Sequence, residues 1–460
     1  MIGLPPFLSF SENERILQLK ILMIILRTVK NISSLNIAAS VLLFLAAILA
    51  AVVANSSLSP VYQDFLLQEL HLSIGNFNLF SHGGHPLKMI EFINDCLMTV
   101  FFLAVGLEIK RELLVGELSS VRKAALPFIA ACGGMVVPVV IYALSVASGT
   151  PETRGMAIPM ATDIAFSLGV LSLLGKRVPL SLKIFLTAFA VVDDIGGILV
   201  IALFYSADVA YGYLIAAAVL YVFLYYMGKF GVTQKIFFLF FGVIIWYLFL
   251  QSGIHSTISG VILAFVIPAR PRLDAGKYIE RIRDIIGEFP VSKSDNIVLT
   301  NAQIATLKQV ERASDYVISP LQSLEDNLHG AVSFVILPLF AFANAGVVFS
   351  GSGSIVGDVS IAVAAGLLLG KFLGIYLFTW LAVKSGVALM PAGMNWKNIA
   401  GVSLLGGIGF TVSLFIANLS FADEYPELLN QAKFGVLVGT VLAGVLGYVV
   451  LNWVLPEREK

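Results

Sequence analysis

The stretch IFLTAFAVVDDIGGILVIALFYSA (residues 184–207) decides the fold class of this chain. Asp193 and Asp194 are the only charged residues among its 24 positions. About 20 apolar residues span the hydrocarbon core of a bilayer, so this segment is expected to cross a membrane with both carboxyl groups near the midplane. A charged side chain there costs about 2.5 kcal/mol or more. The pair must therefore be neutralised by protons, by a bound cation or by a buried partner.

The composition of the whole chain agrees with a membrane setting. The 460 residues are 58% hydrophobic and 13% charged, with a mean hydropathy of +0.91, whereas soluble domains carry roughly 25% charged residues. The formal net charge is zero, which gives no support for a nucleic-acid partner. Cys96 and Cys132 both fall inside apolar runs, so we interpret them as packing residues.

Twelve apolar segments predict twelve transmembrane helices. If the N-terminus is cytoplasmic, 25 of the 29 Lys and Arg residues fall on the cytoplasmic side, three fall outside and Lys371 lies within a span. This asymmetry is typical of a correctly counted topology. The predicted segments are 36–54, 89–109, 124–146, 155–175, 184–207, 210–228, 236–249, 254–268, 330–349, 359–383, 398–420 and 434–454.

The chain is predicted to consist of one transmembrane domain, residues 36–454, with short flanking segments. Residues 1–35 form a predicted N-terminal cytoplasmic arm, and residues 455–460 form a predicted cytoplasmic tail. Both chain ends are therefore expected in the cytoplasm.

Two connecting regions are longer than the others. Residues 269–320 carry 15 charges and are predicted to be cytoplasmic. Within them, the helical spacing of apolar residues over 300–317 is typical of an amphipathic surface helix, although a solvated connector fits equally well. In the external loop, apolar residues alternate around Gly75-Asn76, which predicts a small β-hairpin within 71–86.

Three of the predicted spans carry charge at a similar depth. Asp163, the Asp193–Asp194 pair and Lys371 each lie near the centre of their segment, and fully ionised they sum to a charge of −2. Neighbouring residues on a helix point about 100° apart, so one member of the pair can bond Lys371 while the other joins Asp163 at a cation site. The alternative is that a buried Lys–Asp pair only locks helices together.

The fourth and eleventh segments also contain residues that interrupt helices. Pro159 and Thr162 precede Asp163 in the fourth segment, while Gly406, Gly407 and Gly409 precede Thr411 in the eleventh. Broken helices expose backbone carbonyl and amide groups at mid-depth, where they can bind ions. The two segments occupy matching places in halves of opposite orientation, which predicts an inverted repeat.

Seven long motifs are spread over the predicted spans: GLEIKREL (106–113), ATDIAFSLGV (161–170), RVPLSLKIFLTAFAVVDDIGGILVIALFY (177–205), SGIHSTISGVI (252–262), ILPLFAFANAGV (336–347), LLGKFLGI (368–375) and GGIGFTVSLFIA (406–417). In these motifs the chain resembles a known family, the NhaA-type bacterial sodium/proton antiporters. The resemblance covers about residues 36–454. It implies an all-α membrane protein with 12 transmembrane helices, inverted-topology repeats and two crossed discontinuous helices, the fourth and the eleventh.

The resemblance also implies an activity. The chain would be a secondary transporter of the bacterial inner membrane that exchanges Na⁺ or Li⁺ for H⁺, serves pH homeostasis and forms a homodimer. It would be neither an enzyme nor the carrier of a cofactor, because the metal ions are cargo. The external hairpin within 71–86 would form the dimer contact.

Roles for individual residues follow from the motifs by the same resemblance. Asp163 and Asp194 would bind the transported cation or protons, with Thr162 beside them, and Asp193 would pair with Lys371.

A second group of residues would regulate transport. Glu108 and Arg111 match a cytoplasmic funnel, Glu325 and His329 match a cluster linked to pH response, and His255 matches another pH-linked position. The chain departs from the family pattern at Asp326, where a histidine is usual, and at Phe372, where a proline is common.

Competition between Na⁺ and protons for the carboxylates predicts coupled exchange. If Asp163 and Asp194 each take one proton in place of one Na⁺, one net charge moves per cycle, although Lys371 could instead carry one of the two protons. Two alternatives from other classes are a passive cation channel and an intramembrane aspartyl protease. A fixed lysine disfavours the channel, and the absence of a GxGD sequence disfavours the protease.

Overall fold

The computed structural model describes residues 37–456 except 75–76, 83–84, 206–208, 271–274, 288, 290–297, 299, 350–353 and 423. The predicted arm 1–35 and all but two residues of the predicted tail lie outside the described residues. The described chain is almost entirely helical. Its helices are Ile37–Ala54 (α1), Ser59–Leu67 (α2), Met89–Val115 (α3), Val121–Ser145 (α4), Ile164–Leu173 (α5), Leu180–Phe204 (α6), Tyr211–Lys229 (α7), Lys235–Ser252 (α8), Thr257–Val266 (α9), Ala275–Gly287 (α10), Asn301–Val317 (α11), Pro320–Asn344 (α12), Asp358–Lys384 (α13), Trp396–Leu405 (α14), Phe410–Phe421 (α15) and Pro426–Val454 (α16).

The predicted class, an all-helical membrane protein, is confirmed. Among the described residues, nine helices are long and apolar enough to cross a bilayer. Two further spans are bent at short breaks: the 3-10 helix Pro151–Met160 meets α5 at 45°, and α14 meets α15 at 44°. These are the two segments in which the sequence predicts interruptions.

The eighth predicted span is shorter than expected. Its helix, α9, has ten residues and rises about 15 Å, roughly half of the hydrocarbon thickness. By length, the described residues therefore give nine to eleven spans rather than twelve. The helix packs closely on α3, because a Cβ atom added to Gly106 would come within 2.8 Å of Cβ of Ala264.

The loop between α2 and α3 contains short antiparallel strands. Ser73–Ile74 (β1) pairs with Phe77–Asn78 (β2), with Ile74 opposite Phe77. Ser81–His82 (β3) pairs with His85–Pro86 (β4), with His82 opposite His85. Among the described residues these four strands form the only sheets.

The charged connecting region contains two helices. The sequence allowed either a helix or a solvated connector over 300–317, and residues 301–317 form the helix α11. A second helix, α10, was not predicted, although Ile279, Ile282 and Ile286 recur there at helical intervals. The two helices contact each other.

Glycine allows the closest approach of two long helices, α4 and α13. A Cβ atom added to Gly374 would overlap the carbonyl oxygen of Gly133, and one added to Gly370 would lie 2.6 Å from Cα of Pro138. Side chains larger than hydrogen would push the two backbones apart, and small residues are typical of such interfaces in membranes. The contact fixes the depth and rotation of Lys371, which lies between these two glycines.

We expect Gly374→Ala to destabilise the protein by about 1–3 kcal/mol, because the added methyl group overlaps backbone atoms that cannot move aside. Thermal melting of the purified protein measures the effect. Gly212→Ala is the matched control, since a Cβ atom at that helical position has no atom within 4 Å and alanine is the better helix former. Equal melting temperatures for the two variants would contradict the prediction.

Candidate functional site

The two broken spans meet at their breaks. The backbone N–H of Asp163 donates to the carbonyl oxygen of Ile408 at 2.6 Å, and the hydroxyl of Thr162 donates to that of Gly406 at 2.8 Å. Ser167 donates in the same way to Leu405 at 3.0 Å. The last carbonyls of a helix have no partner within it, and lipid offers none. The first broken span therefore supplies the donors that the end of α14 lacks.

Asp163 lies where two helices begin. Its Oδ1 accepts the backbone N–H of Phe166 at 2.9 Å, so it caps α5. Its Oδ2 accepts the N–H of Thr411 at 3.2 Å and the hydroxyl of Thr411 at 2.6 Å, at the start of α15. Helix N-termini carry partial positive charge, so both helices stabilise the ionised carboxylate. The glycine-rich sequence predicted a break before Thr411 but did not predict that its hydroxyl binds Asp163.

Asp194 has a different environment. It lines a cavity of about 280 Å³ together with Asp163, Thr162 and Glu108. Among the described residues, no donor makes a hydrogen bond to its carboxylate. Asp194 is therefore the carboxylate whose oxygens are free to bind an ion or proton from the cavity.

Asp193 faces the other way. Its Oδ2 lies 2.6 Å from Nζ of Lys371, and both side chains are fully buried. The Lys371 ammonium group also lies 5.7 Å from the ring centre of Phe189, within cation–π range. Of the two arrangements that the sequence allowed, the structure has Asp193 on the lysine and Asp194 towards the cavity.

Arg111 lines the cavity and is paired with two carboxylates. The guanidinium Nε of Arg111 lies 2.9 Å from Oε1 of Glu325, and its Nη1 lies 2.9 Å from Oε1 of Glu112. Glu108 and His329 line the same cavity. The structure thus brings four of the five predicted regulatory residues together.

Glu112 was missed by the sequence analysis, although it belongs to GLEIKREL. It is only 8% exposed, and its Oε2 also accepts the backbone N–H of Glu117 at 3.0 Å. Its signal in the sequence was a second carboxylate in this motif, directly after Arg111.

His255 lies apart from this group. It sits between α8 and α9 and does not line the cavity. The next residue, Ser256, donates to the backbone carbonyl of Asp95 at 3.2 Å, near the start of α3. His255 therefore lies outside the cavity that Glu108, Arg111, Glu325 and His329 line.

Lys110 precedes Arg111 in the chain, but its ammonium group binds the backbone of another helix. Its ammonium group donates to the carbonyl oxygens of Phe265, at 2.7 Å, and Ile267 at the end of α9. A cation at a helix C-terminus satisfies unpaired carbonyls. Lys110 thus fastens the short helix α9 to α3.

Comparison with known proteins places the chain in a family. The family model described as Na+/H+ antiporter 1 matches residues 30–451. The chain belongs to the Na+/H+ antiporter 1 family. It is 74% identical to the Na(+)/H(+) antiporter NhaA of Bacteroides thetaiotaomicron over 95% of this chain and 100% of that protein. It is 75% identical to that of Bacteroides fragilis over the same shares, and 47% identical to that of Porphyromonas gingivalis over 94% and 96%.

Membership in the antiporter family confirms the resemblance found in the motifs. Members of this family are transporters and not enzymes, so the protease alternative is not supported. Together with the apolar helices, membership also establishes a multi-pass membrane protein.

Proposed function

We propose that this protein exchanges Na⁺ or Li⁺ for H⁺ across the bacterial inner membrane, with Asp163 and Asp194 as the shared binding site. The observation that carries the proposal is the cavity that contains both carboxylates at the meeting point of two broken helices. Thr162 lines the same cavity. The relatives' names support Na⁺ and H⁺ as substrates.

The two carboxylates contribute different properties to the site. Asp163 accepts three hydrogen bonds, which hold its carboxylate in place. Asp194 accepts none from the described residues, so the charge of its carboxylate is neutralised only by a bound ion or proton. Because Asp193 and Lys371 neutralise each other, the empty site carries two negative charges. A Na⁺ leaves one negative charge, and two protons leave none.

This difference of one charge makes the cycle electrogenic, with two protons exchanged for one Na⁺. Moving one charge across the membrane is worth about 2.3 kcal/mol per 100 mV. A site that holds either occupant is easier to reorient than the doubly charged empty site, because ligands shift conformations through differential affinity. The exchange is then coupled without covalent chemistry. In the alternative, Lys371 releases one of the two protons.

The finer features of the fold belong to the same proposal. We infer twelve spans in inverted repeats, with α9 and its flanking residues as the eighth and with the two broken spans crossing at the site. The Lys and Arg distribution supports a cytoplasmic location of both chain ends. The boundaries 1–35, 36–454 and 455–460 then separate arm, transporter and tail.

Regulation and assembly complete the proposal. Glu108, Arg111, Glu325 and His329 surround the approach to the carboxylates, so these side chains would control cation access, with His255 acting from outside the cavity. Among the described residues, the strands within 71–86 form two separate two-stranded sheets, and an outer edge of such a sheet could pair with a second copy, which favours a homodimer in the lipid bilayer.

The test of the proposal is ion exchange by the purified protein in liposomes. Addition of Na⁺ or Li⁺ outside should drive protons outward, and a pH-sensitive dye inside reports this movement. Electrogenic exchange should also respond to a potassium diffusion potential. Proton movement that is independent of Na⁺ and Li⁺ would refute the exchange, and a lack of response to voltage would refute the unequal stoichiometry.

The hydroxyl of Thr411 provides a finer test of the Asp163 carboxylate. We expect Thr411→Val to raise the Na⁺ concentration needed for half-maximal exchange about tenfold, because a hydrogen bond to a charged group is worth about 1.5–3 kcal/mol and its loss favours the protonated form. Thr411→Ser keeps the hydroxyl and should behave like the natural protein. Equal Na⁺ dependence in both variants would show that this hydrogen bond is not used.

A further inference from the structure

A second concavity lies on the surface of the helical body, between α1, α5 and α16. It has a volume of about 370 Å³, and its walls are almost entirely apolar, with Val41, Phe44, Phe166, Leu173 and Val445 among them. We call it the groove. It is distinct from the carboxylate cavity, although Ser40 contributes to both.

Among the described residues, several side chains of the groove wall are well exposed. Val41, Leu173 and Val445 are each exposed by about half, at 50%, 53% and 55%. Because α1 and α16 are long enough to cross the bilayer, these side chains face hydrocarbon rather than water. The occupant of the groove therefore has to be apolar.

The dimensions of the groove match one leaflet. On α1 it extends from Ile37, the first residue of the helix, to Leu45, and on α16 it extends from Thr440 to Tyr448. Eight helical steps rise about 12 Å, close to the roughly 15 Å of hydrocarbon in one leaflet. On α5 it reaches Leu173, the last residue of that helix. The groove thus runs from one membrane surface to about the midplane.

We propose that the groove seats one acyl chain of a lipid from the leaflet on that side of the membrane. A transmembrane helix of a second copy would need a surface about twice as long, because it crosses both leaflets. The walls present apolar side chains along the whole length, as a hydrocarbon chain requires.

The seated chain would contact the helix that holds the candidate ion site. The ring of Phe166 lies in the groove wall, 6.3 Å from the ring of Phe44 and 5.8 Å from that of Phe410. The backbone N–H of the same Phe166 binds Oδ1 of Asp163 at 2.9 Å. Ser40 also ties α1 to this helix, through the carbonyl oxygen of Ala165 at 3.1 Å. Phe166 would therefore contact the lipid through its ring and a carboxylate of the site through its backbone N–H.

Photolabelling tests the proposal independently of transport. The full chain is reconstituted into phosphatidylethanolamine–phosphatidylglycerol liposomes that contain a phosphatidylglycerol with a diazirine in its acyl chain. After illumination, we expect labelling of the groove residues Val41 and Val445 at least fivefold above Val219 and Val222 of α7. Those control residues are 62% and 56% exposed and lie outside the groove. Labelling in simple proportion to exposure would overturn the proposal.

A substitution that fills the groove sharpens the test. Val445 lines the groove and is 55% exposed, so Val445→Trp enlarges a side chain that borders it. We expect labelling of Val41 to fall at least fivefold while α7 labelling stays unchanged. Leu446→Trp is the control, because Leu446 lies on the same helix but not in the groove.

If Val445→Trp fails to fold, Val441→Trp replaces it with the same expectation, since Val441 also lines the groove and is 48% exposed. Undiminished labelling of Val41 in a folded groove-filling variant would overturn the proposal. So would photoproducts that join α1 of one chain to α16 of another, since they would identify a second copy as the occupant.

Discussion

Asp194→Asn is expected to reduce Na⁺-driven proton movement in proteoliposomes by on the order of 100-fold or more, equivalent to about 2.7 kcal/mol. The amide keeps the shape of the side chain but can neither hold a proton in exchange nor supply negative charge to a cation. No donor among the described residues bonds the Asp194 carboxylate, so the substitution should not disturb packing. The loss would then reflect the chemistry of the site.

The control for this variant is another Asp→Asn change made far from the cavity. Asp64 is exposed on the short helix α2, and Asp64→Asn should exchange ions at the natural rate. Melting temperature should be unchanged in both variants. Exchange by Asp194→Asn within tenfold of the natural rate would remove Asp194 from the proposed binding site.

Lys371→Met is expected to lower the free energy of unfolding by about 3–5 kcal/mol, because it leaves the Asp193 carboxylate buried without its partner. The ammonium group and the carboxylate are both completely buried and lie 2.6 Å apart. A fall in the thermal melting temperature would show the effect. The heat of Na⁺ binding should change less than the melting temperature.

A double variant tests whether the lost stability comes from the unpaired Asp193 carboxylate. Asp193→Asn combined with Lys371→Met removes both charges, and it should recover most of the stability lost in Lys371→Met alone. Coupled exchange by the double variant then reports whether Lys371 carries a proton. Unchanged melting of Lys371→Met together with lost Na⁺ binding would contradict the structural role.

The two predictions assign different roles to two residues that are adjacent in the chain. Asp193 and Asp194 have the same side chain at the same depth, yet one is expected to govern stability and the other transport. The distinction follows from the turn of about 100° between successive helical residues, which directs Asp193 to α13 and Asp194 to the cavity.

The sequence by itself determined the membrane class, the depth of the buried charges and the places where two spans break. Each of these depends on residue order along one helix: apolar length, the position of a charge within it, and proline or glycine near its centre. The amphipathic pattern of 300–317 likewise allowed the helix that is observed. The same pattern over Ile279, Ile282 and Ile286 would have revealed α10.

Only the tertiary structure decided which groups meet across helices. Residue order fixes how deep a side chain lies but not how its helix is rotated against a neighbour, and rotation determines that Asp193 reaches Lys371. Close packing sets that rotation, as at Gly133 and Gly374. The hydrogen bond from Thr411 to Asp163 joins residues 248 positions apart, a contact that depends on how the two broken spans pack together in space.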